Sequence, residues 1–434
     1  MMVDESHDEM IRRLKEEIGE LLEERLPRKG STIDEIERIT EELGREIERR
    51  IEQSVTRQEG RGYVGSFAPC ECGNRAVYKK DYAKNWQTLH AVLVIPRAYY
   101  YCKNCGKGFA PLDEVLGLDR GATSLRVRDK IARVAAIAPF GRGSSELRVL
   151  CNVSVSPKTF ERVAELVGKR IEAEVSSLEK HILSGLAQIP EIAPERLYVT
   201  IDGATVPMVG SWKESKVGGV YETFVDKDGN VQARDVEHVV TMGDSEAIGD
   251  RIYALAFRRG VEKAGEVVAL ADGGRWIWKQ ARENFPGAIQ ILDFYHASEH
   301  LAEIARAWYG SDDPKANKWL QRSKTDFLEG RFERVMNSIK AWWPADAEHA
   351  ELKRQNIGYF TRNRKRMHYE QYLAKGLHIG SGIAESACKS LVQARLKQAG
   401  MRWSQEGAAS MLQLRRLWFD SPQTYFGQYA AMAT

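Results

Sequence analysis

Three apolar runs in this chain each close on an aspartate: RLYVTIDG at Asp202, GEVVALADGG at Asp272 and AIQILDFYH at Asp293. Short, almost wholly apolar runs separated by helical stretches predict buried strands of an α/β sheet. A carboxylate at the carboxyl end of a strand in an open sheet sits where ligands bind. A single aspartate in that place is usually a turn former, so the repetition is what singles these out. Two such carboxylates held close together in a partly buried site are costly unless a cation lies between them.

The segments around these strands complete an order. After Asp202, GGVYETFVDKDGNVQARDVEHVVTMG predicts two strands joined at Lys227-Asp228-Gly229-Asn230, and a helix comes next. WIWKQARENF predicts a helix after Asp272, and residues 297–376 read as helical, with Trp308, Trp319, Trp342 and Trp343. GSGIAESACKSLVQARLKQAGMRW then predicts a helix carrying Glu385, and a last helix runs through 417. Strand-Asp, hairpin, helix, strand-Asp and a later Glu-bearing helix is the order a ribonuclease-H-like nucleic-acid enzyme needs. Hard divalent ions on oxygen ligands would there activate a water or a 3′ hydroxyl and stabilise the leaving oxygen in phosphoryl transfer.

Ahead of this core lies a module of different character. Cys70-x-Cys72 and Cys102-x-x-Cys105 flank HAVLVIPRAYYYC, which reads as strand. CKNCG suits a zinc-ribbon knuckle, with Gly106 permitting the turn after the second thiolate, whereas the first pair has one intervening residue in place of the usual two or more. We expect Cys70, Cys72, Cys102 and Cys105 to hold a structural Zn²⁺; a set of reduced buried thiols is the plain alternative. Cys151 and Cys388 read as isolated buried thiols.

Residues 124–172 read as helical. LRVRDKIARVAAIAPF predicts one helix, and SSELRVLCNVSVSPKTFERVAELVGKRI predicts helix, turn, helix, with Ser156 as a cap and Pro157 opening the last helix. This suits a helix-turn-helix, with a plain bundle as the alternative. At the N-terminus, Ile11, Leu14, Ile18 and Leu21 mark a helix, and Thr32 to Glu35 form a capping box before a second one. The pair is either a hairpin packed on its own body or a dimerisation element.

Charge is uneven. The net formal charge is +3, yet residues 1–60 hold 11 Lys/Arg against 18 Asp/Glu and leave the remainder basic. A basic body suits a polyanionic partner. No apolar run is long enough to cross a bilayer, and the acidic N-terminus lacks the basic and apolar regions of a signal peptide. The expected setting is the bacterial cytoplasm, at the nucleoid, with no membrane partner.

DGATVP, ALADGGRWIW, ILDFYHASEHL and GSGIAESACKSLVQARLKQAGMRW resemble the DDE transposases of Kra-type bacterial insertion sequences, which belong with the Mutator-like group. The resemblance covers about residues 62–417, and the last motif is its most specific part. It implies that Asp202, Asp272 and Glu385 ligate Mg²⁺ or Mn²⁺, and that an all-helical insertion separates the third Asp-bearing strand from the Glu helix. It further implies that Asp293 and His296 lie beside the catalytic site, contacting the scissile phosphate or ordering the ligands. Lys389, Arg395 and Arg402 are implied DNA-phosphate contacts, against the plain reading of Lys389 as a helix salt bridge to Glu385. Trp403 reads as a core residue, and Glu299 and His300 as helix surface.

The expected architecture is multidomain α+β. A helical arm (1–60), a zinc-ribbon-like module (61–118) and a helix-turn-helix region (119–175) precede a ribonuclease-H-like α/β catalytic core. That core comprises 190–298 and 377–420, with a helical insertion at 299–376. The expected function is transposition: binding the terminal inverted repeats in double-stranded DNA, cleaving, and joining 3′ ends to target DNA, as a homodimer or larger assembly. A metal-dependent nuclease or resolvase on the same fold, or a domesticated non-catalytic DNA-binding regulator, are the alternatives.

Overall fold

A computed structural model describes residues 6–27 and 29–431. Residues 1–5 and Arg28 of the expected arm lie outside the described residues. The chain divides into two compact units, Met1–Val167 with Tyr425–Thr434, and Gly168–Thr424; the division falls inside the helix Pro157–Leu183.

In the first unit the arm is a pair of helices, His7–Arg25 and Ile33–Gln58. Both start with capping boxes, Ser6 with Glu9 and Thr32 with Glu35, which satisfy helix N–H groups that would otherwise lack partners. The second helix sits on its own body: Glu48 meets His90 at 2.8 Å and Glu52 accepts from Thr88 at 2.5 Å. The next layer is an antiparallel sheet in the order β1 (Phe67–Pro69), β2 (Arg75–Gln87), β3 (Val92–Tyr101), β4 (Gly108–Phe109). Trp86, Leu93 and Ile95 from this sheet bury against Leu112 and Leu118.

Three helices come next, Leu125–Ile137, Phe140–Cys151 and Pro157–Leu183. The first ends earlier than its apolar pattern suggests. Ala138 precedes Pro139, and the proline ring forces it out of the helical region to φ −120°, ψ 150°. Asn152 closes the second helix in the left-handed conformation, and the Ser156 hydroxyl accepts from Thr159 N–H at 3.1 Å to open the third. A Cβ on Gly143 would lie 2.7 Å from the Phe160 ring, so glycine there sets how closely the second and third helices approach.

The second unit is built on a sheet in the order β7 (Val231–Thr241), β6 (Ser211–Val225), β5 (Arg196–Met208), β8 (Glu266–Ala271), β9 (Ile289–Leu292). The β5–β6 and β6–β7 pairs are antiparallel, and β5–β8 and β8–β9 are parallel. Asp226 holds the β6–β7 turn by accepting from the N–H groups of Asp228 and Asn230, with Gly229 at φ +83°. Helices cover both faces. A Cβ on Gly218 would meet Ile252 of the helix Ser245–Arg258, while one on its neighbour Gly219 would meet Ile383 of the Glu385 helix.

Two expectations change here. β5 does not end at Asp202 but continues to Met208, because β6 pairs with it through Met208 and Ser211. What ends near Asp202 is the neighbour β8. The region 299–376 does form helices, the longest Pro314–Leu328 and Ala347–Asn363, but it has no core of its own. Phe327, Met336, Ile339, Trp342, Phe360 and Tyr369 are buried in one continuous cluster with Val199, Leu270 and Ile291 of the sheet.

Candidate active site and cysteine cluster

β5 and β8 run parallel with Thr200 opposite Leu270, the last matched pair. Two residues further along the chain from that pair stand Asp202, still within β5, and Asp272, one residue past the end of β8, so the register brings the two aspartates near each other. Each turns one carboxylate oxygen onto nearby backbone: Asp202 accepts from Gly203 N–H at 2.6 Å and Asp272 from Gly274 N–H at 2.9 Å. Burial pushes the Asp202 carboxyl above the usual carboxylate range. Asp272 pushes the same way, against the Gly203 N–H, the Cys388 thiol and nearby His296.

Cys388 is therefore not an isolated thiol. It is buried beside Asp202, and burial raises its own pKa well above the usual thiol value.

Asp293 has a different task. It caps the helix Phe294–Tyr309, accepting from Tyr295 N–H at 2.6 Å and His296 N–H at 3.1 Å. Its second oxygen accepts from Ser381 N–H at 2.7 Å and from the Ser381 hydroxyl. Ser381 is the residue before the Glu385 helix, so Asp293 ties the end of β9 to the start of that helix. Both of its oxygens are thus engaged within the protein.

The Glu385 segment is not a regular helix. Gly382–Ala387 is α-helical, Cys388–Gln393 forms a π-helical turn, and Ala394–Leu396 returns to α. A π turn frees carbonyls from their usual partners, and buried Arg415 takes up two of them, Leu391 O at 2.5 Å and Ser390 O. The expected helix stops at Leu396, whose carbonyl accepts from Trp403 Nε1 at 2.9 Å. Met401–Trp403 then runs beside β5, with Trp403 buried as expected.

Glu385 itself points to solvent and pairs with Lys389, the plain reading of that residue. Among the described residues, the one group of three or more His, Cys, Asp or Glu whose ligand atoms all lie within 4.8 Å is the cysteine set. Asp202 and Asp272 thus come near each other, while the Glu385 carboxylate is held by Lys389 and does not join them.

The remaining expected residues divide. Arg402 is exposed, its guanidinium donating to Met401 O at 2.7 Å. Arg395 is corrected: it is 1% exposed, over the Trp403 ring at 5.3 Å, and cannot meet a phosphate from there. His296 is half-exposed, 3.4 Å from the Glu299 carboxylate, with its ring edge-on to His300. His300 is also corrected. It is mostly buried, stacked on Tyr359 at 4.0 Å and bonded to Asn356 at 2.8 Å, and burial lowers its pKa.

Tyr359 went unmarked in the sequence. Its hydroxyl donates to Asp272 O at 2.7 Å, and its ring lies over Gly273, whose φ of +104° and absent Cβ make room for it. No local signal could have found it, because it lies 87 residues from its partner. Ser381 did carry one, the small-residue GSG before a helix.

In the first unit the two cysteine pairs meet. Cys70 and Cys72 sit on the β1–β2 turn, and Cys102 and Cys105 on the β3–β4 turn. Cys70 Sγ lies 3.6 Å from Cys105 Sγ, and Cys72 Sγ 3.6 Å from Cys102 Sγ. Tetrahedral Zn²⁺ with bonds of about 2.3 Å spaces its sulfurs by about 3.8 Å, so this cluster could hold a metal ion such as zinc. Gly73 at φ +81° and Gly106 at φ +71° give the two matching turns, and the single residue between Cys70 and Cys72 suffices. The Asn74 backbone and side-chain amides pull the Cys72 thiol down to about 6. Against the Cys72 backbone N–H, burial and the neighbouring sulfurs push Cys70 up to about 12. Four thiols in such company do not all ionise without a cation.

No helix among the described residues is long and apolar enough to cross a membrane. The site is one of paired acidic side chains, Asp202 within β5 and Asp272 just past the end of β8, in an α/β unit whose chain also carries a four-cysteine cluster. The chain belongs to the uncharacterised protein family UPF0236, whose model matches residues 72–428. No curated protein matches the sequence.

Proposed function

We propose that the protein is a DNA transposase of the DDE type with a ribonuclease-H-like core, akin to the enzymes of Kra-type insertion sequences. One observation carries the reading: the β5–β8 register brings Asp202 near Asp272, and burial together with Asp272 raises the Asp202 pKa. A pair of this kind is short of positive charge, and hard divalent cations supply it. Asp202, Asp272 and Glu385 would hold Mg²⁺ or Mn²⁺, after Glu385 leaves Lys389 and turns inward. The bound ions would supply Lewis acidity for in-line phosphoryl transfer. The chain's own residues orient the site: Asp293 fixes the start of the Glu385 helix, and Tyr359 holds the backbone at Asp272. The element order of the second unit, strand-Asp, hairpin, helix, strand-Asp and Glu helix, supports the ribonuclease-H-like reading. The cysteine module and the Phe140–Cys151 and Pro157–Leu183 helices are the proposed readers of the terminal repeats.

The pairing of Glu385 with Lys389 favours a second reading, a DNA-binding regulator without catalysis. One assay separates them. Labelled duplexes carrying the ends of the element that encodes the protein are incubated with Mg²⁺ or Mn²⁺ and either the wild type or Asp272→Asn. Cleavage and joining by the wild type, with binding alone by the variant, is the expected result. Cleavage without joining would move the assignment to a nuclease, and binding without cleavage to the regulator.

A further inference from the structure

Directly opposed residues of a β-pair share a face, and every second residue along a strand returns to it. The pairs Trp86–Leu93, Tyr82–Arg97 and Lys80–Tyr99 of β2 and β3 therefore lie on one face, and Tyr101, two residues beyond Tyr99, joins them. Leu112 and Leu118 cover the Trp86 end of that face, and Arg97 closes the covered part by pairing with Asp113 at 2.5 Å. Beyond it the side chains meet solvent: Tyr82 is 43% exposed, and Lys79 and Lys80 are exposed.

This uncovered stretch is built from tyrosines and lysines. Lys80 Nζ lies 4.5 Å from the Tyr82 ring centroid, and Lys79 Nζ 5.9 Å from that of Tyr101. A β-bulge between Tyr78 and Lys80 supplies Lys79 as the extra residue. Tyr99 stands edge-on to Tyr82 at 5.2 Å and reaches over β4, where a Cβ on Gly108 would lie 1.8 Å from its hydroxyl. Exposed Arg75 opens β2 on the same side, two residues before Val77, which pairs with Tyr101.

No carboxylate cancels this charge. Among the described residues Arg75, Lys79 and Lys80 have no acidic partner. The one acid of β2, Asp81, pairs with Ala98 on the opposite face, where Arg61 holds it at 2.5 Å and the Tyr78 hydroxyl at 3.0 Å. A lysine held over a ring keeps its charge and has already given up part of its motion, so it loses less on meeting an anion. An acid-free cationic face with phenol donors matches a polyanion, whose phosphates accept from both. The rings are engaged by the lysines, by Gly108 and by one another, so the face offers contacts to phosphate rather than stacking for unpaired bases.

We infer that the β2–β3 face bearing Lys79, Lys80, Tyr82, Tyr99 and Tyr101 grips the sugar–phosphate backbone of duplex DNA. The inference rests on the proposed transposase reading and deepens it. This face holds the cysteine module on the duplex without regard to sequence, and recognition of the terminal repeats falls to other side chains.

The test measures binding of the full chain to two labelled duplexes, one carrying the element's ends and one of unrelated sequence, across a salt series. Each phosphate contact contributes about 0.9 to the slope of log affinity against log salt. Lys79→Gln with Lys80→Gln should flatten the slope by about two and weaken both duplexes by the same factor, at least about tenfold at low salt. Lys79→Arg with Lys80→Arg should restore both readouts. Arg12→Gln with Lys15→Gln, an equal change of charge on the first helix, should alter neither. Zinc content and circular dichroism check that the variants fold. If the wild type binds DNA and the Lys79/Lys80 variant keeps its slope, loses only one sequence or matches the first-helix control, the inference falls while the transposase reading stands. Tighter binding of an unpaired strand than of the duplex, lost in Tyr82→Ala, would overturn it in favour of base stacking. If the wild type binds neither duplex, both readings fall.

Discussion

The Tyr359 hydroxyl donates a 2.7 Å hydrogen bond to the backbone carbonyl of Asp272, so a helix of the 299–376 region reaches the end of β8. Sequence patterns treat that region as an insertion between parts of the site. Through this bond it becomes one of the supports of the site. Tyr359→Phe keeps the ring over Gly273 and deletes only the donor, leaving a carbonyl to find another partner. We expect a stability loss of about 1 kcal/mol, read as a small drop in melting temperature. We also expect DNA cleavage to fall about tenfold or more with DNA binding unchanged, because the displaced group orients chemistry rather than affinity. Equal loss of binding and cleavage would show a general structural role instead.

The π turn after Glu385 depends on Arg415, which holds the Ser390 and Leu391 carbonyls. Replacing it by methionine keeps much of the volume and leaves buried carbonyls without that donor, at a cost of about 2–4 kcal/mol. The expected outcome is a folded but less stable protein that binds DNA and does not cut it. Hydrogen exchange should speed up selectively in residues 388–396. Unchanged exchange there would remove Arg415 from its assigned role.

The cysteine cluster predicts one equivalent of tightly held zinc per chain. Cys102→Ser, or a strong chelator, should release it, and a chromogenic zinc indicator would count it. Because the cluster is the small core joining the β1–β2 and β3–β4 turns, metal loss should open residues 67–109 to protease while leaving the second unit's melting unchanged. A protein purified with no zinc, and resistant to protease in that state, would return the four thiols to the plain alternative.

Two half-buried imidazoles set an acid limit. His378 packs edge-on against Tyr198 and Tyr221, and His300 stacks on Tyr359; burial lowers both pKa values from the usual 6.5. With folded values below unfolded ones, their contribution is present above the unfolded pKa. It is lost as pH falls from about 6.5 through the lowered folded values, because the unfolded chain takes up protons first. The melting temperature should therefore drop between about pH 7 and about pH 5, and His378→Gln should flatten part of that slope. An unchanged slope in the variant would assign the effect elsewhere.

Much of the second unit was legible in the sequence, and for identifiable reasons. The apolar runs ending at Asp272 and Asp293 are short strands whose ends coincide with the turn after them, so pattern and structure agree. Asp202 misled because the next residues, Gly203-Ala204-Thr205, look like a turn; only pairing with β6, a non-local fact, carries the strand on. The Cys pairs declared themselves through spacing, and even the shorter CEC pair closes a turn because Gly73 accepts positive φ. Arg395 was misread because arginine near an acidic site suggests phosphate, whereas its helix phase turns it inward under Trp403. Tyr359 and Arg415 were invisible, since each acts on a backbone carbonyl far away in the chain, and carbonyls leave no trace in composition or periodicity.

The core shared by the sheet and the 299–376 helices has a consequence for how the second unit could have changed over time. A segment with its own core can be lost, gained or exchanged while its host survives. Here Phe327, Ile339 and Phe360 fill space that the sheet's own side chains do not, so excising the helices would strip β8 and β9 of their cover. The two parts therefore constrain each other's substitutions as members of one cooperative unit.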